Sequence, residues 1–303
     1  MDNEYDLDQM IDTLTQFKYL PQKQLEYLCE TCTAIVAKEP NCVELQAPVN
    51  VCGSLLGRMS SLQELFNVCG HPPEADFLFL GNYCNVGKFG VEIISLLMAL
   101  KIKHPTRVTL LRGKFDNWNL CERKGFFEEC ELKYGNDYPF TLILNFFKHL
   151  PLCAVINKSI FCTPSGIPRW MQVIDEIFEV DRFEESDYDS PLQEFSWNQA
   201  DERKGWNISH LGTGFCYGED ATDTFLDDND FDNAEGQGFV IASSKPLSEG
   251  YQWAHGKKIL FIQSCPSKFK WESNSSAFAC LDEYLRLTIH QFQPIADYHS
   301  FPE

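Results

Sequence analysis

The sequence predicts an α/β fold in a single domain, with two mixed sheets packed as a central sandwich and flanked by helices. Three observations predict it. Apolar runs at 48–52, 76–80 and 107–111 each end at a polar loop that carries a glycine. Helical periodicity follows the first two runs, the strand–loop–helix alternation of α/β proteins. Further apolar runs crowd the second half, at 238–243, 258–263, 276–281 and 285–292, enough for a second sheet.

The elements follow in order. Segment 1–45 reads as helical. Leu7, Met10, Ile11, Leu14 and Phe17 recur at helical spacing, and a turn at Leu20-Pro21 separates them from Leu25, Leu28, Cys29 and Cys32. The core, 46–295, opens with the strand at 48–52, which ends at Gly53. A helix over 60–69 leads to the strand at 76–80, which ends at Gly81. A strongly apolar helix over 89–103 (Val91, Ile94, Leu97, Leu100) leads to the strand at 107–111. Helices over 117–134 and 139–149 precede a hairpin at 152–162 that turns at Asn157-Lys158. Residues 219–235, rich in Asp and Glu, read as a solvated acidic loop. Asp228-Asn229-Asp230-Phe231-Asp232 lacks the glycine and distal glutamate of a calcium loop. Residues 296–303 form a short tail.

Composition narrows the function. A formal charge of −19 disfavours nucleic acid and anionic membranes as partners, since both need a cationic surface. No apolar run is long enough to span a bilayer. The acidic start lacks a secretory signal, so the thirteen cysteines read as reduced thiols of the cytosol or nucleus. Cys29-x-x-Cys32 falls inside a helical pattern without a second pair and reads as core rather than zinc or redox. The patterns at Asn207 and Asn274 match glycosylation acceptors, which such a compartment does not use.

Ligand sites in α/β sheets lie beyond the carboxyl ends of strands. Three loops fall there: 51–57 (Val-Cys-Gly-Ser-Leu-Leu-Gly), 81–87 (Gly-Asn-Tyr-Cys-Asn-Val-Gly) and 112–116 (Arg-Gly-Lys-Phe-Asp). With Gly125–Cys130, Ile160–Cys162, Gly205–Ser209, Glu249–Tyr251 and Trp253–His255, they give an ordered set of motifs over about residues 8–295. That set resembles the catalytic subunit of type 2A-like Ser/Thr protein phosphatases, a metallophosphatase fold. The resemblance implies two adjacent divalent metals, such as manganese, iron or zinc. They would lower the pKa of bridging water from about 15.7 toward 7 and clamp the phosphoryl oxygens.

The chain departs from that pattern at almost every chemical position. In the first loop the family's Asp and His stand as Ser54 and Leu56, the leucine filling the site with an apolar branch. In the second, its two acids stand as Asn82 and Asn85, and its phosphate-binding arginine as Val86. In the third, Lys114 replaces a ligand, Phe115 replaces the general acid, and Asp116 stands for a glutamate. The next ligand histidine aligns with Pro164. Further arginine positions align with Ala242, beside Ser243 and Ser244, and with Leu211. Only His255 stands at a ligand position. Ser54, Cys84, Ser165 and Ser244 are the remaining nucleophile candidates, and none has an evident base. The Lys114 ammonium is expected either in the place of the lost metal charge, bonded to Asn82, Asn85 or Ser54, or in solvent.

The sequence therefore predicts a catalytically silent phosphatase-like protein, a pseudophosphatase. It is expected to need no cofactor and to act by binding proteins, such as a phosphatase scaffold, regulatory subunits or assembly factors. The alternative is a phosphatase with residual or altered metal-dependent activity.

Overall fold

The computed structural model describes residues 5–183, 190–231, 238–243, 246–266 and 275–293. The tail, Ser244, Asp232, Glu235 and Asn274 lie outside the described residues.

The chain opens with α1 (Leu7–Thr15), capped by Asp6, and α2 (Gln22–Val36). A short strand, β1 (Cys42–Leu45), precedes β2 (Val49–Cys52). Then come α3 (Met59–Cys69), β3 (Phe77–Phe79), α4 (Gly90–Lys103) and β4 (Val108–Leu110). The region expected as one helix over 117–134 is two, α5 (Trp118–Arg123) and α6 (Phe126–Tyr134). Gly125 separates them at φ 103°, a backbone conformation that ends a right-handed helix. Next are α7 (Tyr138–Lys148), β5 (Cys153–Ile156) and β6 (Ile160–Thr163). The hairpin turns where expected. Asn157 and Lys158 both take positive φ (49° and 55°), the twist that suits a two-residue connection.

The second half holds α8 (Pro191–Trp197), β7 (Gln199–Ala200), β8 (Trp206–Ile208), β9 (Phe215–Tyr217) and α9 (Glu219–Asp228). It closes with β10 (Phe239–Ala242), β11 (Tyr251–Ala254), β12 (Ile259–Ile262), β13 (Ser276–Leu281) and β14 (Leu287–Phe292). Most of the expected acidic loop is thus a helix. Thr222, Phe225 and Leu226 are its buried stripe at i, i+3 and i+4, while Lys258 pairs with Glu219 and Asp223 on its outer side.

One sheet runs β14-β13-β2-β3-β4 and the other β1-β5-β6-β10-β12-β11, with a small third sheet, β7-β9-β8. Strand alternation sorts the core into layers. Val51, Leu78, Leu80, Ile241, Leu260 and Ile262 fill the space between the two large sheets. Cys52, Phe77 and Phe79 face outward against α3, α4 and α7. Phe161, Val240 and Phe261 face the other way, against α9 and the small sheet. Fully burying one such phenylalanine is worth about 1.5–3 kcal/mol. Helix α4 is buried nearly all round, as a helix sandwiched between layers should be. No helix of the described residues is long and apolar enough to cross a membrane.

β2, β3 and β4 run parallel, as do β6, β10 and β12. The ends of the two sheets meet at a bridge between Ser54 and Gln263.

Candidate functional site

The three loops converge at that junction because their glycines let backbones touch. Gly53 donates its N–H to Ser264 Oγ (2.8 Å), and a Cβ there would meet the Ile262 carbonyl. Gly81 (φ 90°) and Gly113 lie back to back, each leaving no room for a Cβ on the other's loop.

Ser54 and Asn82 sit at the centre. Ser243 Oγ accepts from the Ser54 N–H (2.9 Å) and lies 2.9 Å from Ser54 Oγ. Asn82 Nδ2 donates to Ser54 Oγ (3.0 Å) and to the Ser243 carbonyl (3.4 Å), and Asn82 Oδ1 accepts from the Phe115 N–H (2.8 Å). Asn85 Nδ2 donates to the Phe115 carbonyl (3.0 Å) and approaches Cys121 Sγ. Ser54, Asn82, Asn85 and Ser243 are all buried. The result is a closed net of neutral hydroxyls and amides.

The carboxylate beneath the net has a structural role that its place in the motif did not announce. Asp116 is fully buried. Its Oδ2 accepts from the N–H groups of Asn82 (2.7 Å) and Gly113 (2.8 Å), and its Oδ1 from that of Tyr83 (3.1 Å). It staples the second loop to the third. Burial pushes its pKa up to about 6, against the pull of the three N–H groups and of Arg112.

Leu56 is half-buried at φ 49°, tied by its backbone to Asn82 and Gly87. Two other expectations change. Lys114 neither bonds the amides nor points into water. Its Nζ lies 3.7 Å from the centre of the Trp197 ring, and burial lowers its pKa to about 8. His255 is not with the loops. β11 runs antiparallel to β12 and pairs Ala254 with Ile259, so His255 falls at the far end of the sheet from Ile262. Both its ring nitrogens are engaged there, Nδ1 with Thr222 Oγ1 and Nε2 with the Asp201 carbonyl, each at 2.8 Å.

The remaining positions are placed as follows. Phe115 joins the net through its backbone, and Val86 is half-buried on the second loop. Pro164 is buried just beyond β6, and Ala242 faces the outer core. Leu211 is exposed between β8 and β9. None of the described nucleophile candidates has a basic partner. Among the described residues Ser54 Oγ meets only Ser243 and Asn82, Ser165 Oγ donates to the Asn198 carbonyl (2.9 Å), and the Cys84 thiol is pushed well up by burial. Burial likewise raises the thiols of Cys29 and Cys32, which belong to the core.

The profile of the calcineurin-like phosphoesterases matches residues 47–233. The chain is also similar to a protein serine/threonine phosphatase from Saccharomyces cerevisiae, itself described as similar to human phosphatase PP5. The identity is 24%, the TM-score is 0.84, and 94% of this chain and 93% of that one are covered. A cold-active protein-tyrosine phosphatase of a psychrophilic Shewanella is more distant, with 12% identity and a TM-score of 0.58 over 84% of each chain. These structures share the fold.

The family match overturns one expectation. The calcineurin-like phosphoesterases use divalent metals, so a cofactor belongs to the family this chain matches, and the expectation of none is corrected. The residues at the loop ends do not fit a metal pair. Asn85 Oδ1 is the one member of the net that is buried without a partner among the described residues. The oxygens of Ser54 and Asn82 are committed, and no group of three or more His, Cys, Asp or Glu side chains forms a cage among the described residues. Neutral amides and hydroxyls lack the charge that holds two cations together. The family's metals and this donor set disagree.

Proposed function

The chain belongs to the calcineurin-like phosphoesterase family, and from that premise we propose that it is a phosphatase-like protein that does not turn over phosphoesters and acts by binding other proteins. The observation that carries the reading is the closed net. Asn82 stands where the phosphatase pattern places an acid, and its side chain is spent on Ser54, Ser243 and Phe115. Val86 and Ala242 stand where that pattern places phosphate-binding arginines, and Phe115 where it places the general acid. Hydrolysis depends on stabilising the charge that develops on the phosphoryl oxygens, and among the described residues the net holds no cation for it.

The proposed partners are those of a type 2A-like catalytic subunit, a scaffold or its regulatory and assembly proteins, for which this chain competes with active subunits. Its charge of −19 supports protein partners over polyanions. Its thirteen free cysteines support the cytosol or nucleus.

Family membership favours one second reading, a weak metal-assisted phosphatase. An aryl phosphate assay with added manganese separates the two. The first reading expects no turnover from the unmodified chain. It expects manganese to raise the melting temperature more for the double variant Leu56→His/Asn82→Asp than for the unmodified chain. Robust turnover by the unmodified chain refutes it. Affinity purification from native tissue then tests the binding role, and recovery of no phosphatase subunit counts against competition.

A further inference from the structure

The third loop also borders a cleft of about 480 Å³, with Arg112 and Asp116 in its lining. Arg112 forms its floor, pinned by a backbone hydrogen bond to the Pro151 carbonyl (2.9 Å). One wall is a stripe of α7, where Thr141, Leu144, Asn145 and Lys148 share a face at helical spacing. Trp118, at the start of α5 and 49% exposed, stands at the edge.

Two features mark this cleft as built for a ligand. First, Arg112 has a donor to spare. Its Nη1 is buried with no partner among the described residues. Asp116 lines the same cleft and attracts the guanidinium, but its oxygens are held by three backbone N–H groups. Burial pulls the guanidinium's pKa down, yet arginine keeps its charge in proteins. A buried N–H without an acceptor is costly, and a bound oxyanion would supply one. Second, in a chain of charge −19, the cleft gathers a second cation, Lys148, and the amides of Asn119 and Asn145. Such a volume, with a few convergent polar groups and one aromatic wall, suits a small molecule rather than a bare ion.

We propose that this cleft binds a small organic oxyanion, a carboxylate or phosphomonoester on an apolar body, with Arg112 and Lys148 meeting the charge and Trp118 and Leu144 the body. Guanidinium groups match both oxyanions in a bidentate geometry. The cleft borders the loop-end net through Asp116, and the proposal stands whether or not the chain hydrolyses phosphoesters.

Calorimetric titration of the full chain with phenyl phosphate and, separately, benzoate tests it. Saturable one-to-one binding of at least one probe is expected, and the tighter probe distinguishes phosphate from carboxylate. Lys148→Glu, a half-buried position on α7, should weaken binding by about tenfold or more. Lys124→Glu makes the same charge change at an exposed position outside the cleft and should leave binding unchanged. No saturation by either probe up to about 20 mM, an affinity too weak for a built site, overturns the proposal. Equal weakening by the two substitutions does so too, because binding would then follow net charge alone.

Discussion

At the tips of β2, β3 and β4 the net is built of hydroxyls and amides above one carboxylate, whereas between α4 and α6 the buried polar groups are a lysine and two glutamates. Lys133 bonds Glu92, Glu129 (2.8 Å) and the Lys88 carbonyl (2.9 Å), and all three charged side chains are at most 7% exposed. Glu129 also receives the Val91 N–H (2.8 Å) at the start of α4. The helical cluster keeps charge because opposite charges meet within the protein. The loop-end net joins neutral hydroxyls and amides, and the acid beneath it, Asp116, is held by backbone N–H groups. The difference teaches how strand-end loops hold their shape through backbone contact and neutral bonds.

Breaking the helical cluster should have the largest effect. Lys133→Met leaves Glu92 and Glu129 buried without their cation, a change on the order of 3–5 kcal/mol. A drop in melting temperature of about 10 °C is expected from thermal denaturation. Burial already pushes the Glu92 carboxyl up to about 7, against the pull of Lys133. Removing Lys133 should push it further.

The staple is the next test. Asp116→Asn supplies one acceptor oxygen where two now serve three N–H groups, and turns an amide donor toward another donor. A loss of roughly 1–3 kcal/mol follows. The pH dependence sharpens the comparison. The folded pKa of Asp116, about 6, lies above its ordinary value of 3.8, so its proton is held more tightly in the folded state. That contribution is fully present below about pH 4 and is lost as pH rises through about 6. Asp116→Asn should flatten the stability profile between about pH 4 and 6, while Glu92→Gln should flatten the stretch from about 4.5 to 7. If the change in the double variant departs from the sum of the two single changes, the two clusters are not independent.

Much of the fold was legible because glycines and continuous apolar runs act locally. The first two strands stopped just before Gly53 and Gly81, and Asn157-Lys158 turned the hairpin. What was missed depends on partners distant in sequence. β1 and β11 are short edges that owe their pairing to β5 and β12. α9 looked like a loop because its acids outweighed the buried stripe of Thr222, Phe225 and Leu226, a signal present in the sequence all the same. His255 was misplaced because a motif gives order along the chain but not strand direction. At the site, the sequence identified which residue types stand at the loop ends but not what they bond. Ser243 emerged as a hub only once β10 was set beside β12, with Ser54 across the junction.

Lys114 gives the smallest and most discriminating prediction. Were its ammonium standing in for lost metal charge, replacing it would unbalance the net. Instead it rests on Trp197, and burial holds its pKa down at about 8 against an ordinary 10.5. A lysine with a depressed folded pKa favours the folded state most when neutral. Its contribution is therefore fully present above about pH 10.5 and is lost as pH falls through about 8. At neutral pH the desolvation cost of the charge works against the attraction of the ring, which is worth about 0.5–1 kcal/mol at an exposed site and more when desolvated. Lys114→Met should thus leave the melting temperature at pH 7 nearly unchanged. Between about pH 8 and 10.5 the unmodified chain should gain stability relative to the variant. A large loss at pH 7 would return the lysine to the net and make the loop-end site, like the helical cluster, a site held by charge.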